Sequence, residues 1–319
     1  MKTIPFLKSV SLALFFMSFI FIGCNDDDDP SGEAKGNLEL SITDAPIDDP
    51  EIKATFITVT GVELDGTRFN FDNEVKFDIM AYQRGDTKVL FDEEIHTGTY
   101  NDLVLVLMAG ENDNQPASYV ETKDGMKHDL FSGISGEVKF DVNAKSYAVT
   151  EGNSTNLVLD FNVRNAIRHS SNTGEDKYNI NSDFSSIIRA EPVNNTLVVS
   201  GKVLDPLKLG GKSIVAYLYV KGDFDKEDET SVSGSSGIMF EHALASDMVD
   251  GSGNFEFHYV PSKTYEVVLV GYENIDSDSE LEVKGFLTTN ILGVLGVEIN
   301  ALGGSNINTN ITVTGFLGI

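Results

Sequence analysis

The chain has 319 residues, of which 41% are hydrophobic, and a formal net charge of −27 at pH 7. This length suits two domains of ordinary size, and the apolar content is sufficient for one or two hydrophobic cores. The strong negative charge disfavours nucleic-acid binding, and it disfavours attachment to anionic lipid through a basic surface.

The N-terminus has the pattern of a lipoprotein signal peptide. After two lysines, an apolar run from Val10 to Ile22 leads to Cys24, the only cysteine. The run is too short to span a bilayer, which takes roughly 20 residues, and it has the size of a signal-peptide core. The segment resembles the lipobox of bacterial lipoproteins, although Phe21 stands where leucine is usual. The resemblance implies that residues 1–23 are removed and that Cys24 is acylated. The alternative is an ordinary secreted protein with an incidental thiol.

Residues 24–35 are predicted to be an acidic tether between the membrane and the fold. The residues that follow the cysteine are Asn25, Asp26, Asp27, Asp28 and Asp29. They resemble the export signal that sends Bacteroidetes-type lipoproteins to the outer face of the outer membrane. The resemblance implies a lipid-anchored protein that faces the cell exterior. In the alternative interpretation, the aspartates only solvate a linker and the protein faces the periplasm.

The remainder of the chain is predicted to be all-β. Leu38, Leu40 and Ile42 alternate with polar residues, which is typical of a strand with one buried face. Many short β-patterned runs follow, separated by Gly, Asn, Asp and Pro clusters. One short helix is expected near residues 162–169.

A boundary is predicted at "IIRAEPVNNT", where the apolar alternation stops before it restarts at "LVVSGKV". The sequence therefore predicts two consecutive β-sandwich or open-barrel domains, at residues 36–192 and 193–319, that fold independently. In the second domain, "GIMFEHALA" is expected to be a strand. We expect "GNFEFHYVPSKTYEVVLVGY" to form a hairpin in which Phe255, Phe257 and Tyr259 share one face.

Both predicted domains resemble known families. The segment "GNLELSITDAPIDDPEIKATFITVTGVEL", which closes later with "SSIIRAEPV", resembles a domain of unknown function, DUF4382, found in Bacteroidetes-type surface lipoproteins. The residues that match its motif are Thr43, Asp44, Ala45 and Pro46. The family has no established activity, so the resemblance implies a fold and a location. In the second domain, "SGKVLD", the hairpin segment and "NITVTG" are similar to transthyretin-like or carboxypeptidase-regulatory-like β-sandwiches.

The Thr-Asp-Ala-Pro motif has two interpretations. In the first, Asp44 accepts backbone N–H bonds in a local turn, and Pro46 prevents the strand from continuing. In the second, Asp44, Asp48 and Asp49 form an acidic rim around a ligand or a cation. The spacing of these residues does not require the second interpretation.

No catalytic motif is present in the sequence. The five histidines are scattered without zinc-ligand spacing, and His258 is expected to face solvent on its strand. The chain has no G-x-S-x-G element, and Cys24 would carry lipid rather than act as a nucleophile. The sequence therefore predicts a protein that is not an enzyme.

No cofactor is predicted, and calcium is the one metal ion that the sequence leaves open. Two acidic loops place alternate carboxylates in a pattern that suits oxygen coordination of a hard cation. The candidate ligands are Asp223, Asp225, Glu227, Asp276, Asp278 and Glu280. Neither loop has the glycine and the distal glutamate of an EF-hand, so solvated acidic loops are the alternative.

Together these features predict a non-catalytic, lipid-anchored cell-surface protein. It would be a binding or adhesion module for an extracellular polysaccharide or protein. The alternative is a structural accessory or docking component of an outer-membrane assembly. The expected partners are the membrane, through the lipid anchor, and an extracellular glycan or protein.

Overall fold

The computed structural model describes residues 34–44, 51–112, 115–169, 178–180, 187–204, 213–231, 239–273, 282–289 and 294–319. The described part of the chain belongs to one unit, Ala34–Ile319. Several predicted sites lie outside the described residues, namely Cys24, Asn25, Asp26, Asp27, Asp28, Asp29, Ala45, Pro46, Asp48, Asp49, Asp276, Asp278 and Glu280. No helix in the described ranges is both long enough and apolar enough to cross a membrane.

The described structure is almost entirely β, as predicted. We call residues 34–192 the first β-region and residues 196–319 the second β-region. The strands of the first β-region are β1 (Lys35–Asp44), β2 (Ile52–Leu64), β3 (Thr67–Asp78), β4 (Lys88–His96), β5 (Gly98–Tyr100), β6 (Leu103–Ala109), β7 (Glu111–Asn112), β8 (Gln115–Pro116), β9 (Tyr119–Thr122), β10 (Lys127–Asp129), β11 (Gly136–Asp141), β12 (Asn143–Ala144), β13 (Tyr147–Val149), β14 (Ser154–Phe161), β15 (Ile167–His169), β16 (Tyr178–Ile180) and β17 (Ile188–Pro192).

Two sheets enclose the core of the first β-region. The first sheet has the order β12-β17-β14-β1-β4, and the second has the order β10-β9-β2-β6-β11, with β3 also paired to β2. Leu38, Leu40 and Ile42 of β1 are fully buried in this core, so the predicted alternation is confirmed. Strands β1 and β14 are parallel, and their register places Thr43 opposite Asp160.

Short helices connect some of the strands. The expected short helix is present as α1 (Val163–Ala166), where the side chain of Asn162 accepts a hydrogen bond from the backbone N–H of Asn165. One-turn 3-10 helices occupy Ile79–Ala81 and Val193–Asn195, and the second of them separates β17 from the second β-region.

The second β-region contains helix α2 (Lys226–Thr230) and a second set of strands. These strands are β18 (Thr196–Leu204), β19 (Ser213–Val220), β20 (Ala245–Met248), β21 (Asn254–Pro261), β22 (Thr264–Glu273), β23 (Glu282–Thr289), β24 (Gly296–Asn300) and β25 (Ile307–Gly318). The first half of β25 pairs with β18 and its second half pairs with β23, so this strand joins two layers.

Strands β19 and β22 are buried on both faces. One face packs in the core shared with β18 and β21, and the other packs against aromatic residues that include Phe240 and Phe286. This double burial explains the nearly continuous apolar runs "SIVAYLYV" and "EVVLVGY". The two β-regions have separate buried clusters, whereas their independent folding stays a prediction.

The predicted hairpin between β21 and β22 is wrong. Strand β21 pairs with β18, whereas β22 pairs with β19, β23 and β24. The two residues between them, Ser262 and Lys263, therefore carry the chain from one layer to the other. The segment "GIMFEHALA" is also not a single strand, because Met239–His242 form turns and β20 begins only at Ala245.

Tyr259 does not share a face with the two phenylalanines that precede it. Phe255 and Phe257 are buried in the core, whereas Tyr259 has a φ of 52° and lies at a β-bulge opposite Val198. The left-handed backbone turns its side chain out of the alternation. The Tyr259 hydroxyl donates a hydrogen bond to the carbonyl of Gly85 in the first β-region, at 2.8 Å.

Candidate functional site at the junction of the two β-regions

Thr43 and Asp44 end strand β1 at the junction and are both 4% exposed. The Thr43 hydroxyl lies 2.9 Å from the carbonyl of Tyr82 and 3.0 Å from that of Asp86, either of which can accept its proton. The Asp44 carboxylate accepts hydrogen bonds from the backbone N–H of Val163, at 3.2 Å, and from Nε2 of Gln83, at 3.1 Å. These partners are distant in sequence, so the carboxylate connects separate elements and does not lie on a solvent-facing rim.

The loop after the first 3-10 helix forms the first connection between the β-regions. Nη2 of Arg84 lies 3.2 Å from a carboxylate oxygen of Asp247 and 3.2 Å from the carbonyl of Met248. Gly85 has a φ of 89°, and a Cβ added there would lie 2.6 Å from Nδ1 of His258. A side chain at position 85 would therefore be strained and would collide with the second β-region.

Asp247 is a buried acceptor for both β-regions. Its other carboxylate oxygen accepts the backbone N–H of Glu256 at 2.8 Å. Burial raises the pKa of Asp247, and the hydrogen bonds from Glu256 and Arg84 oppose that rise. His258 was expected to face solvent, but its side chain is only 22% exposed because it packs against Gly85.

Helix α1 forms the second connection. The guanidinium of Arg164, which is 6% exposed, donates hydrogen bonds to the carbonyls of Met239 and Phe240. Its Cζ lies 5.2 Å from the centroid of the Tyr217 ring, a cation–π contact. Because Asp44 accepts hydrogen bonds from both α1 and the Gln83 loop, this one carboxylate holds both connecting segments.

A third arginine completes the junction. Nη2 of Arg189 lies 2.5 Å from a carboxylate oxygen of Asp160, and its Nη1 lies 3.2 Å from the carbonyl of Tyr259. Sequence reasoning did not identify the arginines at positions 84, 164 and 189. A usable signal was present, because Arg164 and Arg189 stand within apolar runs of an otherwise acidic chain.

Glu229 and His242 form a polar pair beside the junction. Glu229 is 2% exposed, and its carboxylate accepts a hydrogen bond from the hydroxyl of Tyr219 at 2.9 Å. Its other oxygen lies 2.6 Å from Nδ1 of His242, whose ring is largely exposed. Burial and the charge of Glu229 raise the pKa of Tyr219, so this phenol stays protonated as the donor.

Among the described candidate calcium ligands, Asp225 has a structural role. Asp225 caps α2, because its Oδ1 accepts hydrogen bonds from the backbone N–H groups of Glu227 and Asp228 at 2.8 and 3.2 Å. Within the described ranges, no group of three or more His, Cys, Asp or Glu residues is arranged to hold a metal ion. Asp223 does not take part in this helix cap and lines the cleft that is described next.

A cleft of about 460 Å³ with a mixed polar and apolar lining opens between the two β-regions, and we call it the junction cleft. The polar residues that line it include Asn143, Asp160, Arg189, Asp223, Glu241 and His242. Amide, carboxylate and guanidinium groups supply both donors and acceptors, which suits a ligand rich in hydroxyl groups. A second cavity of about 30 Å³ touches Asp44 and has room for about one water molecule.

We expect the stability contribution of Asp44 to decrease as pH rises. Burial raises the pKa of Asp44 well above its usual value, and the charges of Asp160 and Asp78 act in the same direction. The folded protein therefore holds a proton that the unfolded chain has already released. This contribution is fully present below the unfolded pKa and is lost as pH rises through the folded pKa. In urea titrations at a series of pH values from 4 to 8, the free energy of unfolding of Asp44→Asn should increase relative to that of the wild type as the pH rises.

Asp65→Asn is the matched control, with the opposite sign. Backbone N–H bonds from Asp102 and Asn101 lower the pKa of this exposed carboxylate, so its contribution is lost as pH falls. Asparagine also tolerates the φ of 44° at this position. Parallel pH profiles for Asp44→Asn and the wild type would contradict the assignment.

One comparison with known proteins finds a family model that matches most of the first β-region. Residues 35–182 match the family model for the domain of unknown function DUF4382. The match confirms the resemblance that the Thr-Asp-Ala-Pro motif suggested for this part of the chain. No curated protein matches the chain.

The DUF4382 match contains Thr43, Asp44, the Gln83 loop and α1, so both connecting segments of the junction belong to it. Their acceptors in the second β-region lie outside it. The match ends before β17, which nevertheless completes the first sheet by pairing with β14. The sheet formed by the matched residues therefore extends beyond the match, as far as Pro192.

Some solved structures show weak similarity to the chain. The shaft pilin SpaA of Lactobacillus rhamnosus GG has 9% identity, with 89% of this chain and 99% of the pilin covered and a TM-score of 0.23. The minor pilin GBS52 of Streptococcus agalactiae has 10% identity and a TM-score of 0.22, with 88% of this chain and 97% of the pilin covered. A leucine-rich repeat protein of Bacteroides thetaiotaomicron VPI-5482 has 11% identity and a TM-score of 0.20. The chain covers 88% of its own length and 26% of that protein. TM-scores this low carry no argument about function.

Proposed function

We propose that this protein is a non-catalytic, lipid-anchored surface protein that binds an extracellular polysaccharide in the junction cleft. The observation that carries the proposal is a cleft of about 460 Å³ between two connected β-regions, whose lining combines hydrogen-bonding side chains with apolar surface, as sugar rings require. Asn143 and Asp223 are exposed at the cleft, where they can form hydrogen bonds with sugar hydroxyls. In the same lining, Arg189 and Asp160 form an ion pair that holds both side chains in place.

The location is part of the proposal. Cys24 would be acylated after removal of residues 1–23, and the aspartates from Asp26 to Asp29 would direct the protein to the outer face of the outer membrane. The high negative charge supports a lipid anchor over a basic membrane-binding surface, because acidic surfaces repel anionic lipid. The second β-region, proposed to be a transthyretin-like sandwich, would complete the cleft.

We expect the change Cys24→Ala to abolish membrane retention and to leave the folded β-regions intact. Several acyl chains hold a protein firmly in a membrane, whereas the unmodified chain would have no such anchor. The measurement is fractionation of washed membranes, together with the melting temperature of the released protein. Retention of Cys24→Ala in washed membranes would show that a different anchor operates.

Replacement of the four aspartates by serine is the companion variant. It should stay in the membrane and become protected from protease added to whole cells, because only the export signal is removed. A wild-type protein already protected from protease would favour the periplasmic accessory over the surface-binding role.

Binding is tested with the soluble Cys24→Ala protein and a panel of neutral oligosaccharides. The double variant Asn143→Ala/Asp223→Asn should weaken binding of any hit by about tenfold, because two hydrogen bonds of about 0.5–1.5 kcal/mol each are lost. Asp141→Asn, an exposed carboxylate on β11 outside the lining of the cleft, is the control and should bind normally. Equal binding by the double variant and the control would exclude the junction cleft as the site.

A further inference from the structure

Two lysines converge on one tyrosine ring in the second sheet of the first β-region. Nζ of Lys76 lies 4.5 Å from the centroid of the Tyr119 ring, and Nζ of Lys127 lies 4.7 Å from the same centroid. The Tyr119 ring also stacks on Phe56, with the centroids 4.9 Å apart. Lys76 is on β3 and Lys127 is on β10, so pairing of the sheet brings together residues that are far apart in sequence.

The hydrogen-bond partners of the two ammonium groups are neutral, although Lys127 lies opposite Glu121, whose pKa its charge helps to lower and which is paired with Lys53. Lys76 donates a hydrogen bond to the carbonyl of Pro116 at 3.2 Å, and Lys127 donates one to Oε1 of Gln115 at 2.6 Å. Neither forms an ion pair with a carboxylate of the described ranges. In contrast, other lysines of the structure pair with glutamates, namely Lys53 with Glu121, Lys139 with Glu63, Lys145 with Glu191, Lys221 with Glu298 and Lys284 with Glu273.

The arrangement costs electrostatic energy, because two like charges share one site. Partial burial lowers the pKa of Lys76, and the charge of Lys127 lowers it further. Contact with the negative face of an aromatic ring offsets part of this repulsion. A bound anion would offset more of this repulsion. Both lysines are exposed to solvent, so an anion can reach them. A local cationic site of this kind stands out on a chain with a net charge of −27.

We propose that Lys76 and Lys127 bind an anionic group, a sulfate or a carboxylate, of an extracellular polysaccharide. Each ammonium group has three N–H donors and already uses one of them, so up to four remain for the oxygens of such a group. Phe56, which is half-buried beside Tyr119, supplies an apolar surface for the adjoining sugar ring. The proposal rests on the polysaccharide-binding function and adds a second site, specific for charge, on a different surface from the junction cleft.

The experiment uses the soluble Cys24→Ala protein and three probes of similar length: dextran sulfate, polygalacturonate and neutral dextran. Calorimetric titration at low and high salt measures the dissociation constant of each. We expect binding to at least one of the two polyanions, weakened by salt because exposed charges are screened. The preferred polyanion distinguishes sulfate from carboxylate. The net negative charge of the protein opposes nonspecific binding of polyanions, so binding indicates a local site.

The deciding variant is Lys76→Gln/Lys127→Gln, which should weaken polyanion binding at least about tenfold, equivalent to about 1.4 kcal/mol. Lys139→Gln/Lys221→Gln makes the same change in net charge at two lysines that are paired with glutamates, and it should bind within about twofold of the starting protein. Lys76→Arg/Lys127→Arg should retain binding. Melting temperatures verify that each variant is folded.

Two results would overturn the proposal. One is that neither polyanion binds. The other is that Lys76→Gln/Lys127→Gln and Lys139→Gln/Lys221→Gln weaken polyanion binding equally. The neutral oligosaccharide titration of the junction cleft is run on the same variants. If polyanion binding fails while neutral binding persists, only the lysine site is wrong; if neutral binding alone fails, the junction cleft is wrong.

Discussion

Arg164→Ala is expected to lower the free energy of unfolding by about 3 kcal/mol, because it removes a buried, fully engaged charge. The guanidinium lies between the β-regions, donates to the carbonyls of Met239 and Phe240, and contacts the ring of Tyr217. Its removal leaves the carbonyls of Met239 and Phe240, the second of them buried, without these donors and opens a gap beside an aromatic ring. Urea denaturation, followed by far-UV circular dichroism, measures the loss.

Two further changes separate the geometry of Arg164 from its charge. Arg164→Lys keeps the positive charge but lacks the planar fork that reaches two carbonyls, so we expect an intermediate loss. Lys221→Ala removes an exposed lysine that is paired with Glu298 and should change the stability by less than about 0.5 kcal/mol. A loss for Arg164→Ala as small as that for Lys221→Ala would show that the connection through α1 contributes little to stability.

Gly201→Ala has the second large expected effect, a destabilisation of about 2 kcal/mol from overpacking. Gly201 is in the middle of β18, between β21 and β25. A Cβ at this position would lie 2.3 Å from Cζ of Phe255 and 3.0 Å from the carbonyl oxygen of Thr309. The Phe255 ring, which is 1% exposed, occupies the space above the glycine and cannot move without disturbing the core.

Gly303→Ala is the matched control for this prediction. Gly303 is exposed, has nothing within 4 Å of an added Cβ, and is not in the left-handed region. The same chemical change should therefore alter the stability by less than about 0.5 kcal/mol. If Gly201→Ala melts at the same temperature as Gly303→Ala, the ring of Phe255 has room to shift and the packing argument is wrong.

The first β-region could be recognised from a short sequence motif. The DUF4382 match covers residues 35–182, which include Thr43 and Asp44, and the Thr-Asp-Ala-Pro motif had already indicated this resemblance. The role of those residues could not be found in this way. Asp44 acts through Val163, which is 119 residues away, and through Gln83, which is 39 residues away. The sequence suggested a local turn or an acidic rim around a ligand, and neither role includes these distant partners.

The sequence by itself determined the all-β class, the position of the short helix and most of the strands. These features depend on interactions between neighbours in the chain: Leu38 and Leu40 alternate because successive side chains of a strand point to opposite faces, and Asn162 caps α1 through a bond to a residue three positions away. Local patterns report such interactions directly.

Only the tertiary structure decided which strands pair and what meets at the junction. The segment β21–β22 has an alternating pattern that suits a hairpin or a crossing between two layers equally well, and the choice depends on pairing with β18 and β19. Likewise, Arg164 and Lys76 contact residues that are distant in sequence. The free energy of such contacts depends on burial and on the relative placement of whole elements, and neither quantity is encoded in the spacing of residues along one segment.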